Sequence, residues 1–264
     1  VRVALVVTTC ERPDALARVL ASVAAQSRTP DELAIADDGS GAATAAVIAA
    51  HAAIARWPVH HAWQPHEGFR AARARNAAVA LTSAEYLVLV DGDMLLDRHF
   101  LADHVAAATR GTWVQGCRLP LSAAATTAVL GGDAPEFHRR ALDLRHRLQA
   151  ARRPALAHRL TRLAPVLLAV KACNQGVWRA DFETVNGYDE AFVGWGAEDK
   201  DLCTRLGHAG VRRRGLLFAA LAWHLWHAPA PRTEAARNAA RHAASRTAGR
   251  VRCKTGLDRH PTTR

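Results

Sequence analysis

Two carboxylates one residue apart, Asp91 and Asp93, follow the apolar run Tyr86-Leu87-Val88-Leu89-Val90. The run reads as a buried strand, with Gly92 in the turn at its end. Carboxylate oxygens are hard ligands, so a pair on a tight turn can hold Mg2+ or Mn2+ against a diphosphate. Ligands of an open α/β sheet collect beyond the carboxyl ends of its strands, where this pair is expected to lie. A second acidic group, Glu198-Asp199-Lys200-Asp201, follows the irregular segment Gly194-Trp195-Gly196-Ala197. Acids are favoured at a helix start by the dipole, but three beside an ordered tryptophan exceed what a cap needs. His224 and His227 stand three apart near the end of an apolar run, where an imidazole can reach a metal.

The elements that must position these groups alternate. Val1 to Thr9 reads as a first strand, and Pro13 opens a helix with Leu16, Val19, Leu20 and Val23 on one face. A strand at Leu33–Ala36 runs into Asp37-Asp38-Gly39-Ser40, and a helix follows over Ala42–Ala55. Further elements are a strand at Val59–Trp63, a helix over Gly68–Leu81 and the strand that delivers Asp91 and Asp93. This pattern predicts a mostly parallel sheet covered on both faces. Thr8, Asp38, Asp91 and Asp93 then share one sheet edge. Later elements are a helix over Arg98–Thr109, a strand over Thr112–Cys117, a helix from Glu198 to about His208, a strand over Leu217–Trp223 and a helix over Thr233–Ala248.

Between residues 119 and 170 the character changes. Phe137, Ala141, Leu144 and Leu148, then Leu156, Leu160 and Leu163, recur at helical spacing. Eight arginines from Arg139 to Arg162 face a single acid, Asp143. Two readings are open: a helical insertion with a solvated basic face, or a contact with a membrane surface or an anionic acceptor.

The chain has 264 residues and a formal charge of +11, which suits an anionic partner. No nucleic-acid-binding spacing accompanies the charge, so no nucleic acid is expected. Five scattered cysteines without a C-x-x-C pair argue for a reducing compartment. No apolar run approaches the ~20 residues that span a bilayer. The chain opens on a strand rather than on a leader-like segment. The expected location is cytoplasmic, with the inner membrane face as a peripheral contact.

In order along the chain come Val-Val-Thr-Thr-x-x-Arg-Pro, Asp-Asp-Gly-Ser, Gly68-Phe69-Arg70 through Arg75-Asn76, and Asp91-Gly92-Asp93. Asn-Gly-Tyr-Asp-Glu-x-Phe-x-Gly-Trp-Gly-x-Glu-Asp-x-Asp-Leu closes the series over residues 186–202. This ordered set resembles the family 2 glycosyltransferases of the GT-A fold. Its C-terminal segment is similar to those of β-1,4-galactosyltransferases and bacterial chondroitin-type polymerases. The resemblance implies a single α/β GT-A (Rossmann-like) domain over residues 1–230. Its parts are a nucleotide-sugar half over 1–118, the basic helical insertion over 119–170 and an acceptor and catalytic half over 171–230. A basic helix and tail follow over 231–264.

The resemblance also implies roles. Thr8, Arg12, Asp38, Arg70, Arg75, Asp91, Gly92 and Trp195 contact a UDP-sugar. Asp91 and Asp93 hold Mn2+ or Mg2+, with His227, or alternatively His224, as the imidazole ligand. Asp199 is the catalytic base and Glu198 its neighbour toward sugar or acceptor. The implied reaction is inverting transfer of a hexose or N-acetylhexosamine, with UDP-Gal or UDP-GalNAc favoured. The acceptor is a hydroxyl of a glycan or lipid-linked acceptor, in bacterial surface or secreted polysaccharide assembly. Two features depart from the pattern: Ala197 stands where glycine is common, and Cys10 where an aromatic residue is frequent. Competing readings are a nucleotidyltransferase, for which a glycine-rich loop after the first strand is wanting, and an inactive module binding an anionic polymer or membrane.

Overall fold

The computed structural model describes residues 1–161 and 170–261. The first strand, β1 (Val3–Thr9), is buried almost throughout. It is followed by α1 (Pro13–Ala24), β2 (Glu32–Asp37), α2 (Ala42–Ile54), β3 (Val59–Trp63), α3 (Ala71–Ala80) and β4 (Tyr86–Asp91). Strand alternation sorts the side chains. Val3, Leu5 and Val7 pack with Leu16, Val19 and Leu20 of α1, whereas Ala4 and Val6 pack with Ala74, Ala78 and Val79 of α3. Burial on both faces is why these strands are continuously apolar. α3 begins three residues later than its periodicity predicts, because Gly68 takes φ +79 and holds the chain in a loop.

The second half departs from simple alternation. β5 (Met94–Leu96) follows Asp93 directly, then α4 (Phe100–Ala107), β6 (Thr112–Gln115) and β7 (Cys117–Pro120). The single strand expected over Thr112–Cys117 is thus two. Gly116 breaks it where the Asn174 side chain packs so close that no Cβ fits. Asn174–Trp178, without an expected element, forms β8, antiparallel between β4 and β6. The main sheet has the order β3-β2-β1-β4-β8-β6-β9, with β9 at Arg212–Gly215. A smaller sheet has the order β5-β10-β7, with β10 at Leu221–His224. β10 starts four residues later than expected, because Phe218 (φ +64) and Ala220 (φ +46) turn the chain before it.

The basic region holds α5 (Ala123–Leu130), a 3-10 turn (Pro135–Ala141), α6 (Leu144–Gln149) and α7 (Pro154–Leu160). The apolar stripe expected along it is not buried as one face: Leu144 and Leu148 are exposed, at 68% and 59%. Arg162 and Leu163 lie outside the described residues. Among the described residues the remaining α-helices are α8 (Arg179–Thr184), α9 (Glu198–His208) and α10 (Ala235–Thr247), and a 3-10 turn lies at Leu257–Arg259. Among the described residues, no helix is long and apolar enough to cross a membrane.

Candidate active site

The polar strand ends do converge. β1 and β4 are parallel neighbours with Thr8 opposite Asp91, and Asp38 follows β2 alongside. The turn after β4 is tight. Gly92 N–H donates to the Thr8 carbonyl at 2.6 Å, and a Cβ at Gly92 would lie 2.8 Å from that oxygen. Asp93 lies just ahead of the smaller sheet. Its carbonyl accepts from Leu225 N–H at 2.9 Å, and Met94 pairs with His224 across β5 and β10. Sheet register thus brings the late histidines to the early carboxylate.

Asp93, His224 and His227 place one ligand atom each within 4.8 Å of one another. The two rings present different chemistry. His227 Nδ1 lies 2.8 Å from the Ala228 carbonyl, which can only accept. Nδ1 therefore carries a proton, and in the neutral ring Nε2 is the acceptor. Nε2 lies 3.3 Å from Asp93 Oδ2, so the neutral ring and the carboxylate present two acceptors that a proton or a metal ion can share. Asp93 Oδ1 is buried without a hydrogen-bond partner. Burial, then the nearby Asp91 carboxylate, push the Asp93 pKa up to about 6. His224 instead meets Nη2 of Arg118, 3.0 and 3.1 Å from its ring nitrogens. A guanidinium only donates, so it engages the ring's lone pair. Burial, then Arg118, lower His224 to about 3 and keep it neutral. Asp93 and His227 fit a divalent ion, and His224 is the weaker ligand.

Asp91 lies outside that group and accepts instead from Arg75 Nη2 at 2.9 Å. Arg75, expected at the nucleotide, is enclosed at 3% exposure. Its Nε donates to Thr8 Oγ1 at 3.0 Å and its Nη1 to Glu198 Oε1 at 3.3 Å. One guanidinium therefore ties the ends of β1 and β4 to the start of α9. Three of its five N–H donors are thus held by protein oxygens. The Asp38 carboxylate is also engaged, by Gln64 Nε2 and by the Arg70 backbone N–H, each at 2.7 Å. Arg70 itself pairs with Glu67 at 2.6 Å. Arg12 reaches Asp93 Oδ2 at 3.4 Å, on the open side of the edge.

Glu198 and Asp199 occupy the first turn of α9. Asp199 accepts from Ala172 N–H at 3.1 Å and from Lys200 N–H at 2.7 Å. Burial raises the pKa of both acids; backbone donors oppose it for Asp199 and Arg75 opposes it for Glu198. A raised carboxylate is suited to take a proton near neutral pH. Asp201, the third acid, points away into the core. Trp195 is 42% exposed with the Arg232 guanidinium 4.8 Å over its ring. Its loop is pinned by Gly194 N–H to the Phe69 carbonyl (2.8 Å) and by Asn238 Nδ2 to the Val193 carbonyl (3.0 Å).

Ala197, where glycine is common in the resembling family, has φ +73. The left-handed region costs an L-residue roughly 1–2 kcal/mol, offset in part by glycine's greater freedom when unfolded. Ala197→Gly is therefore expected to raise stability by about 0.5–1 kcal/mol, read as a higher urea midpoint. An unchanged or lower midpoint would mean that the alanine methyl makes a compensating contact. Two cations that sequence spacing does not single out also belong here. Arg118 reaches His224 from β7, and burial followed by Arg118 lowers the pKa of Lys171.

Residues 4–130 match the family model described as Glycosyl transferase family 2. Residues 170–224 match one described as N-terminal domain of galactosyltransferase. Among curated proteins the chain is similar to validoxylamine A glucosyltransferase from Streptomyces hygroscopicus subsp. limoneus. The two are 29% identical, over 78% of this chain and 48% of the relative. The protein of the same name from subsp. jinggangensis is also 29% identical, over 78% of this chain and 51% of its own length. The chain thus spans about half the length of the curated relatives it matches. Among solved structures its fold is similar to the mannosyltransferase PcManGT from Pyrobaculum calidifontis in complex with GDP-Man and Mn2+. That likeness has TM-score 0.58 and 17% identity over 94% of this chain and 63% of the other. It is similar too to S. aureus TarS 1-349 in complex with UDP, with TM-score 0.64 and 15% identity over 93% and 65% of the two chains.

Proposed function

We propose that this chain is a glycosyltransferase, and more closely a metal-dependent, inverting UDP-hexosyltransferase acting on a hydroxyl acceptor, a reading supported by its family 2 match followed by a galactosyltransferase match and by its glucosyltransferase relatives. The observation that carries the reading is the Arg75 bridge. Through it the carboxylate edge at Asp91 and Asp93 is tied to the Glu198-Asp199 helix start. In-line displacement needs a proton acceptor on one side of the anomeric carbon and stabilised negative charge on the other.

Asp93 and His227 would hold Mn2+ or Mg2+, with Asp91 beside them. When bound, the ion supplies charge that stabilises the departing diphosphate. The protein's part is separate. Asp199 takes the proton from the acceptor hydroxyl, and Glu198, fixed by Arg75, lies next to it. Trp195 offers an apolar face for a sugar ring. Arg12 supplies positive charge on the same edge as Asp93. UDP as the nucleotide is supported by the UDP-bound fold relative and by the motif order, and Mn2+ by the GDP-Man relative. The curated relatives are named as glucosyltransferases, so UDP-glucose joins UDP-Gal and UDP-GalNAc as a donor to be screened. The proposed acceptor is a glycan or lipid-linked glycan.

Calorimetric titration with UDP, with and without Mn2+, tests the site. Wild type is expected to bind UDP more tightly with the ion. Asp93→Ala and His227→Ala should each lose about 10–100-fold of the metal-dependent affinity, the range for perturbed metal shells. His224→Ala should lose less. Equal loss at both histidines would make His224 a ligand as well. No UDP binding in any condition would overturn the donor assignment.

A further inference from the structure

The exposed leucines of α6 have no role in the site just described. Leu144 and Leu148 are one helical turn apart, so they share a face. Both are large aliphatic side chains left largely open to solvent in a chain with ample core to bury them. Around them Arg139, Arg140, Arg145 and Arg147 are all exposed. Hydrogen bonds of Arg139 and Arg147 run to the Arg147 and Leu142 carbonyls, which carry no formal charge. Two acids, Glu136 and Asp143, stand against these four arginines, and Asp143 is occupied as the N-cap of α6 and by His146 Nδ1 at 2.7 Å. An aliphatic pair inside a ring of arginines is the pattern of an interfacial helix, apolar atoms entering the acyl boundary while guanidinium groups meet anionic headgroups.

The position of this face gives it a use. α6 packs against β7, the strand whose Arg118 reaches His224. The basic region therefore adjoins the Asp93 edge through β7.

We propose that the α6 face, Leu144 and Leu148 within their arginine ring, docks the protein on an anionic phospholipid surface and so holds the Asp93 edge near an acceptor carried in that surface. The lipid-carried acceptor rests on the transferase reading; the docking itself does not. An anionic polymer would be recognised by the arginines and would have no use for the aliphatic pair. An anionic lipid surface uses both, its headgroups the arginines and its acyl chains the leucines, which decides between the two partners.

The test is co-sedimentation of the full chain with vesicles of phosphatidylcholine alone and of phosphatidylcholine with phosphatidylglycerol. The wild-type chain is expected on the mixed vesicles and not on the neutral ones. Leu144→Ser with Leu148→Ser should weaken binding by about tenfold or more, since two exposed aliphatic side chains lose their transfer to the interface. Arg145→Gln with Arg147→Gln should weaken it as well, and added salt should reduce the remainder. Both pairs are exposed, so folding is retained, and UDP binding measured on the same samples should match wild type. Failure of docking with UDP binding intact would overturn this proposal alone. Vesicle binding that ignores the leucine substitutions, or equal binding to a soluble polyanion such as heparin, would reduce the face to a polyanion contact and overturn it too.

Discussion

Asp199→Asn is expected to lower kcat by about 10²–10⁴-fold, the usual reach of a general base, while Mn2+-dependent UDP binding is retained. Asparagine keeps the shape of the side chain, and its carbonyl can still accept from Lys200 N–H, but it cannot take a proton. The pH profile supplies a second readout. A base works in its ionised form, so the rate rises with pH through its pKa and then levels. Burial raises Asp199, so the acid limb of kcat should lie above the ordinary aspartate value of about 3.9. Glu198 adjoins it and is raised as well, so the limb belongs to the two acids together. Single-turnover rates over a pH series would check both points. Near wild-type transfer by the asparagine variant would remove Asp199 from the base role.

The largest effect on the fold is expected at Asp201. Its carboxylate holds Arg205 Nε at 2.6 Å, and both side chains are essentially sealed from solvent, at 1% and 0% exposure. Arg205 Nη1 also donates to the carbonyls of Val185 and Gly187 at 2.6 and 2.8 Å, at the end of α8. Deleting one member of such a pair strands a buried charge, at a cost of about 3–5 kcal/mol. Asp201→Ala should therefore lower the urea midpoint sharply with little change in the slope. Asp201→Leu with Arg205→Met should recover only part of the loss. The Val185 and Gly187 carbonyls would still lack their donor. A loss under about 1 kcal/mol for Asp201→Ala would show that water reaches the pair and that its burial is not what holds α8 to α9.

The acidic cluster thus divides by environment. Asp199 and Glu198 keep partial exposure at the start of α9, and Asp201 is buried in the packing beneath them. In the sequence the three stand side by side, and only the helical turn, which sends residues two apart to different faces, assigns them. A similar division applies to the arginines. Arg75 reads as a nucleotide contact because it follows Gly68-Phe69-Arg70. Enclosed, it becomes the bridge between Asp91 and Glu198.

What the sequence determined by itself is local or periodic. Continuous apolar runs specify strands buried on both faces, and the 3.6-residue spacing of Leu16, Val19, Leu20 and Val23 specifies the helix that covers one of them. Parallel connection then puts Thr8, Asp38, Asp91 and Asp93 on one edge whatever the details of packing. The order of motifs carries the resemblance for the same reason: each is a short stretch whose chemistry is fixed by its own residues. What only the tertiary structure decided depends on registers between distant segments. The pairing of β5 with β10 brings His224 and His227 to Asp93, and the antiparallel insertion of β8 carries Ala172 to Asp199. The difference between the two histidines rests on which neighbours, Ala228 or Arg118, meet each ring. Leu144 and Leu148 have the spacing of a buried stripe, yet the short helix that bears them leaves both in solvent. Periodicity gives a helix its apolar face; only the packing of the whole chain says whether anything covers it.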